Sequence, residues 1–259
     1  MIEVTWGAQT HNGHVRQHNE DALLADAPVF VVADGMGGHR AGEVASSIAI
    51  DQFRPLVGAS ALTIADVAAA ITAANEAIVE AGEAGASSAG MGTTVVGMIA
   101  VEQVGRPYWL AFNVGDSRLY RLFKGELNQV SVDHSYVQEL IAAGRLTADE
   151  AIGHPERNIV TRALGQDTES QADFWLLPPE VGERFLLCSD GLSGDVSADQ
   201  ILQLLRNSPD PEEAADQLVS AALAAGGRDN ISVVVVDVRA IYDFGAHEAT
   251  IPRGGVPNE

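Results

Sequence analysis

The chain has 259 residues, 46% hydrophobic and 20% charged, a composition that builds a globular core with no need of a disulfide or structural metal. Thirty-six acidic residues against fifteen basic ones give a net charge of −21, a field that repels phosphate backbones and anionic lipid and so argues against nucleic acid as a partner. A lone cysteine, Cys188, excludes internal disulfides and multi-cysteine zinc sites, and no apolar run approaches the ~18 residues of a membrane segment; a cytoplasmic monomer is expected.

Taken in order, the first informative stretch is Arg16-Gln17-His18-Asn19-Glu20-Asp21, one Arg and two carboxylates in a loop-like context. A strand-like run over Pro28 to Ala33 ends in Asp34-Gly35-Met36-Gly37-Gly38, and a helix starts near Gly42. No Gly-Lys-Ser/Thr follows these glycines, which excludes a P-loop. Between Thr63 and Gly82 the apolar positions Val67, Ile71, Ala74 and Ile78 keep one helical face, and Thr63 with Asp66 resembles a capping box.

Strand-like runs then follow one another over Thr93 to Val101, Tyr108 to Val114, Ser117 to Phe123 and Glu126 to Val132, with Lys124 and Gly125 as a hairpin turn. A short helix carrying Val137, Leu140 and Ile141 stops at Gly144, and Thr147 with Glu150 caps another. The run Arg184 to Cys188 ends in Ser189-Asp190-Gly191. One helix begins at Ser197 with Gln200 to complete a box; the next has Asp210 as N-cap, Pro211 at its first position, and Gly226 and Gly227 to stop it. Arg228-Asp229-Asn230 precedes the last run, Ile231 to Val238, and from Ala240 to Glu259 periodicity is lost. One domain over 1–239 with a flexible tail over 240–259 is expected. Strands follow strands and helices follow helices, which points to an α+β plan with antiparallel sheets.

Asp34, Asp116, Asp190 and Asp229 each stand where a buried strand meets a turn. Strand ends of one core converge, and two carboxylates about 5 Å apart repel by about 3 kcal/mol at an effective dielectric near 20, so a cluster of them calls for cations. Oxygen-only donors select Mg²⁺ or Mn²⁺ over Zn²⁺ or Cu²⁺. Arg16 would add a fork for phosphoryl oxygens.

These motifs, together with Gly92-Thr93-Thr94, Val114-Gly115-Asp116-Ser117-Arg118 and Asp133-His134-Ser135, resemble in identity and order the compact bacterial members of the type 2C, metal-dependent Ser/Thr protein phosphatases. The resemblance implies a four-layer α-β-β-α sandwich with two central antiparallel sheets. It also implies two metals, with Asp34 bridging them, the Gly35 carbonyl on one, and Asp190 and Asp229 on the other. Glu20 and Asp21 would act mainly through waters, Asp116 with Asp190 would recruit a third, weaker metal, and Arg16 would clamp phosphate. Residues 133–165 would form a flap. The implied reaction is in-line attack of a metal-bridging water on phosphoserine or phosphothreonine with no phosphoenzyme, acting on phosphorylated proteins and opposing bacterial Ser/Thr kinases.

Met36 departs from the His of many eukaryotic members that protonates the leaving alcohol, which leaves a metal-bound water, or less favourably His39, for that task. Cys188 has Gly194 six residues on where the cysteine phosphatases have Arg, so core packing is its expected role. A metal nuclease and a catalytically silent binding module are the rival functions. The charge opposes the first, and a full set of ligand positions opposes the second.

Overall fold

A computed structural model describes residues 1–37, 41–84, 90–166 and 171–242. Its strands form two antiparallel sheets. The first holds β1 (Ile2–His11), β7 (Arg118–Phe123), β8 (Glu126–Gln129), β10 (Arg184–Cys188) and β11 (Ile231–Ile241), in the order β1-β11-β10-β7-β8. The second holds β2 (Asp21–Asp26), β3 (Val29–Met36), β5 (Val95–Gln103), β6 (Arg106–Val114) and β9 (Asp173–Leu177) in the order β2-β3-β5-β6-β9, with the short β4 (Gly92–Thr93) on β3.

The central strands read as unbroken apolar runs because both their faces are buried, and alternate residues serve different layers. Phe30 and Val32 of β3 meet Phe185, Leu187, Val234 and Val236 between the sheets, while Val29, Val31 and Ala33 face outward. The outward face of the second sheet is covered by α1 (Ala41–Phe53) and α2 (Ile64–Ala84), which bury Ala45, Ala49, Phe53, Ile71, Ala74 and Ile78. On the other side α6 (Ala198–Asn207) and α7 (Pro211–Ala224) cover Leu186, Cys188, Val233 and Val235. Three apolar layers therefore separate four layers of secondary structure, the α-β-β-α sandwich.

Helix ends follow their local chemistry. Thr63 and Asp66 exchange backbone and side-chain hydrogen bonds, Ser197 and Gln200 close a capping box, and Asp210 accepts from the backbone N–H groups of Glu212 and Glu213. Behind α7, Gly226 N–H donates to Leu223 and Gly227 N–H to Ala222, the paired bonds of a Schellman stop. Between β8 and β9 the chain forms α3 (Tyr136–Ala142) and α4 (Ala148–Ile152), the latter capped by the Thr147–Glu150 box.

β11 continues past Val238, pairing Ala240 with Glu3 and Ile241 with Ile2, so the first two residues assigned to the tail are strand; 243–259 lie outside the described residues, as do Gly38 and His39. Among the described residues no helix is long and apolar enough to cross a membrane.

Candidate active site

Antiparallel strands of both sheets end on one side of the sandwich, and the Asp at each end faces a common cleft of about 320 Å³. Asp34 comes from the end of β3, Asp116 from the turn between β6 and β7, Asp190 from the start of the short helix α5 (Asp190–Ser193) after β10, and Asp229 from the approach to β11. The β1–β2 loop contributes Arg16 and Glu20, and Gly35 and Met36 line the floor. Seven of the eight residues expected at the site, all except Asp21, thus line one space. Asp21 lies behind it, paired across the sheet with Asp34 and accepting 2.8 Å from Ser189 Oγ.

Gly35 is required by close approach. Its N–H donates to the Glu20 carbonyl at 3.1 Å, and a Cβ there would run into the backbone of Gly42 at the head of α1. Asp34 is fixed from β4 and the residue that follows it: its N–H donates to Thr94 Oγ1 at 3.1 Å, and its carbonyl accepts from Thr94 N–H and Thr93 Oγ1, both at 2.9 Å. Thr94 Oγ1 also pairs with Ser117 Oγ at 2.8 Å, which joins the Asp34 strand end to the Asp116 turn.

Asn230 does the same work on the opposite wall. Its Oδ1 accepts from Glu20 N–H at 2.8 Å, and its Nδ2 donates to the carbonyls of Asn12 and His18 at 3.1 and 2.9 Å. This buried amide therefore holds the loop bearing Arg16 and Glu20 against the approach to β11 that bears Asp229. The sequence singled out Arg228-Asp229-Asn230 and Gly92-Thr93-Thr94 as motifs without indicating that Asn230 and Thr94 position the cleft; for Asn230 the available signal was its place beside Asp229, while Thr94 lies 60 positions from the Asp34 it holds.

The carboxyls are crowded and short of partners. Burial, followed by the charges of Asp21, Asp190, Asp116 and Asp229, holds Asp34 well above the usual carboxylate range. Burial pushes Asp21 up to about 7 against the hydrogen bonds from Ser189 and Ser232, and pushes Asp116 up to about 7 with Asp190 and Asp133 adding to it. Burial and Asp229 raise Asp190, although a hydrogen bond with Asp34 draws it back. Burial also raises Glu20. Buried Glu20 Oε1 and Asp21 Oδ1 have no hydrogen-bond partner. Arg16 sits on Asp229, Nη2 to Oδ2 at 2.6 Å, and this bond raises its own already high pKa.

Among the described residues no three His, Cys, Asp or Glu side chains are already gathered to hold a metal ion. Even so, the donor set fits hard divalent cations. It is all oxygen, it includes orphaned buried carboxylate oxygens, and burial and crowding disfavour the charged forms of Asp34 and Asp116, a penalty that cations would relieve.

A second hollow of about 390 Å³ opens off the cleft beneath α3 and α4, sharing Asp116, Asp190 and Asn158 with it and lined further out by Val137, Ile141, Ile152 and Arg157. Cys188 faces away into the α6–α7 layer, fully buried, its thiol pushed up to about 12 by burial.

A sequence model of the protein phosphatase 2C family matches residues 8–226. The chain is 41% identical over 249 residues to the serine/threonine protein phosphatase PstP of Mycobacterium tuberculosis, covering 94% of this chain and 46% of that protein, so it spans about half of that relative's length. It is 38% identical over 243 residues to the serine/threonine phosphatase stp of Listeria monocytogenes, covering 88% and 94%. The solved catalytic domain of PstP in complex with two manganese ions superposes with a TM-score of 0.84 at 38% identity, over 93% of this chain and 100% of that one.

Proposed function

The chain belongs to the protein phosphatase 2C family, and from that premise we propose that it hydrolyses phosphoserine and phosphothreonine in proteins with Mn²⁺ or Mg²⁺ held by the cleft carboxylates. The observation that carries the reading is the convergence of Arg16 with Glu20, Asp34, Asp116, Asp190 and Asp229 on one cleft.

In this reading Asp34, the Gly35 carbonyl, Asp190 and Asp229 would hold two ions. Glu20 would act through waters, with Asp21 behind the cleft on Ser189, and Asp116 with Asp190 would hold a third, weaker ion. When bound, the ions supply charge to the phosphoryl oxygens and an acidified water. Arg16 is exposed, and its fork grips two phosphoryl oxygens at the mouth of the cleft. Thr94 carries the one hydroxyl among the described residues lining the cleft, and it is committed to Asp34 and Ser117, so no free hydroxyl stands there as a nucleophile in place of water in the single in-line displacement proposed. Met36 carries no proton to give, so the leaving alcohol takes its proton from water. The hollow under the flap takes residues beside the phosphorylated one.

Serine/threonine kinases are the enzymes whose products this reaction consumes. Closure of all three apolar layers within one chain supports a monomer, and a buried free thiol suits the reducing cytoplasm. The test is phosphate release from a phosphothreonine peptide with Mn²⁺, Mg²⁺ or EDTA, beside Asp229→Ala. Metal-dependent release lost in the variant is expected. No release from folded protein with either metal, or undiminished release in the variant, would overturn the reading.

A further inference from the structure

None of Asp133, His134 and Ser135 lines the cleft itself, yet the histidine is buried and fully engaged. Gly115 N–H donates to His134 Nδ1 at 3.1 Å, and His134 N–H donates to the Gly115 carbonyl at 2.9 Å, so the residue preceding Asp116 has both its backbone groups on one partner. Asn113 Nδ2 adds a second bond to the same carbonyl at 2.9 Å. Gly115 itself adopts φ +108°, a conformation open to glycine and strained for other residues, so this turn is imposed by its surroundings.

The far side of the ring is equally occupied. Nδ1 accepts, so the proton of the neutral ring is on Nε2, which faces Asp173 Oδ2 on β9 at 3.3 Å. Arg162 Nη1 lies 3.3 Å from Nε2 and donates to Asp173 Oδ1 at 3.2 Å. Thr161 N–H donates to the His134 carbonyl at 2.8 Å, and Ser135 bridges to Val160. Flap residues 135–161 therefore leave and return through His134. Burial lowers the pKa of this histidine, which keeps the Nδ1 lone pair available near neutrality.

We propose that His134 is a positioning residue for Asp116: its Nδ1 holds the Gly115–Asp116 turn in the cleft and anchors that turn to both ends of the flap. The proposal rests on the reading of Asp116 as a ligand of the weaker metal. It separates His134 from a general core brace, because only one of the ring's two nitrogens acts on the turn.

Two isosteres divide the ring. In His134→Asn the side-chain oxygen stands near the place of Nδ1 and keeps an acceptor for Gly115, whereas His134→Gln reaches the Asp173 side and leaves the Gly115 N–H unpaired. Mn²⁺ binding is followed by electron paramagnetic resonance of the free ion in the wild type, both variants, Asp116→Asn and the His134→Gln/Asp116→Asn double variant, with melting curves in EDTA to establish that each is folded. His134→Gln is expected to weaken the lowest-affinity Mn²⁺ site about tenfold, the effect of one unpaired buried donor, while His134→Asn stays within about twofold. The double variant should match Asp116→Asn, because both changes act through one carboxylate. Equal losses in the Asn and Gln variants, or a further loss on adding His134→Gln to Asp116→Asn, would overturn the assignment. Wild-type protein that binds no Mn²⁺ would instead overturn the metal reading and the proposal with it.

Discussion

Replacing Asn230 by Ala tests whether the cleft is held by the polar residues behind the carboxylates. The change removes three hydrogen bonds, from Glu20 N–H and to the carbonyls of Asn12 and His18, from a side chain that is 4% exposed. At about 1 kcal/mol net for each bond the loss is about 3 kcal/mol, and the part-buried Glu20 N–H left without a partner argues against a smaller value. For a domain of this size about 1 kcal/mol moves the melting temperature by roughly 2–4 °C, so a fall of about 6–12 °C is expected by scanning calorimetry in EDTA. Activity should fall further than stability explains, because Arg16 and Glu20 sit on the loop this amide pins. In Asn230→Asp the Oδ1 acceptor survives, but the two donors are lost and a charge is added beside Asp229, so metal-free stability should fall at least as far. A melting temperature within about 2 °C of wild type in Asn230→Ala would refute the claim that this amide holds the two walls together.

Other consequences are as direct. Cys188→Ala should keep near-normal turnover with a stability loss of about 1–2 kcal/mol, since the thiol is a buried packing group raised to about 12; abolished turnover in folded protein would restore a cysteine mechanism. If its fork holds phosphate and not metal, as proposed, Arg16→Ala should lower kcat/KM for a phosphopeptide by about 10²-fold while Mn²⁺ still raises the melting temperature; an unchanged kcat/KM would remove it from the site. In EDTA the melting temperature should fall as pH rises from about 5.5 to 8.5. Asp21 and Asp116 have folded-state pKa values of about 7 against about 3.9 unfolded, so their contribution is full below the unfolded value and is lost as pH passes 7. Mn²⁺ should flatten this slope by taking the place of the protons, and a metal-free melting temperature that rises over the window would contradict the crowding.

The core strands were legible because burial on both faces leaves no polar residue to break the run, as in Val29 to Ala33 and Val233 to Val236. β1, β2 and β9 were not read, because each is an outer strand of its sheet with mixed burial and so carries a weaker signal, although the alternation of Ile2, Val4, Trp6 and Ala8 was there to use. Capping boxes at Thr63, Thr147 and Ser197 were readable because they are local chemistry. The site was legible as strand-end aspartates for the same topological reason that brings them together. What lay beyond reading was pairwise and long-range: Arg16 on Asp229 across 213 positions, Asn230 on Glu20 across 210, and Asp21 withdrawn behind the cleft on Ser189. No local pattern encodes those contacts, which follow only once both sheets are stacked.

The central claim is that the clustered carboxylates hold the metal that powers phosphate release. The most direct measurement is a Mn²⁺ titration of wild type and Asp190→Asn in which bound Mn²⁺ and the rate of phosphopeptide hydrolysis are recorded on the same samples. The account predicts that rate and occupancy rise together in the wild type, and that the variant, still folded, binds fewer ions and loses at least about 10³-fold in rate. Near-normal hydrolysis in Asp190→Asn, or wild-type hydrolysis that persists in EDTA, would contradict it.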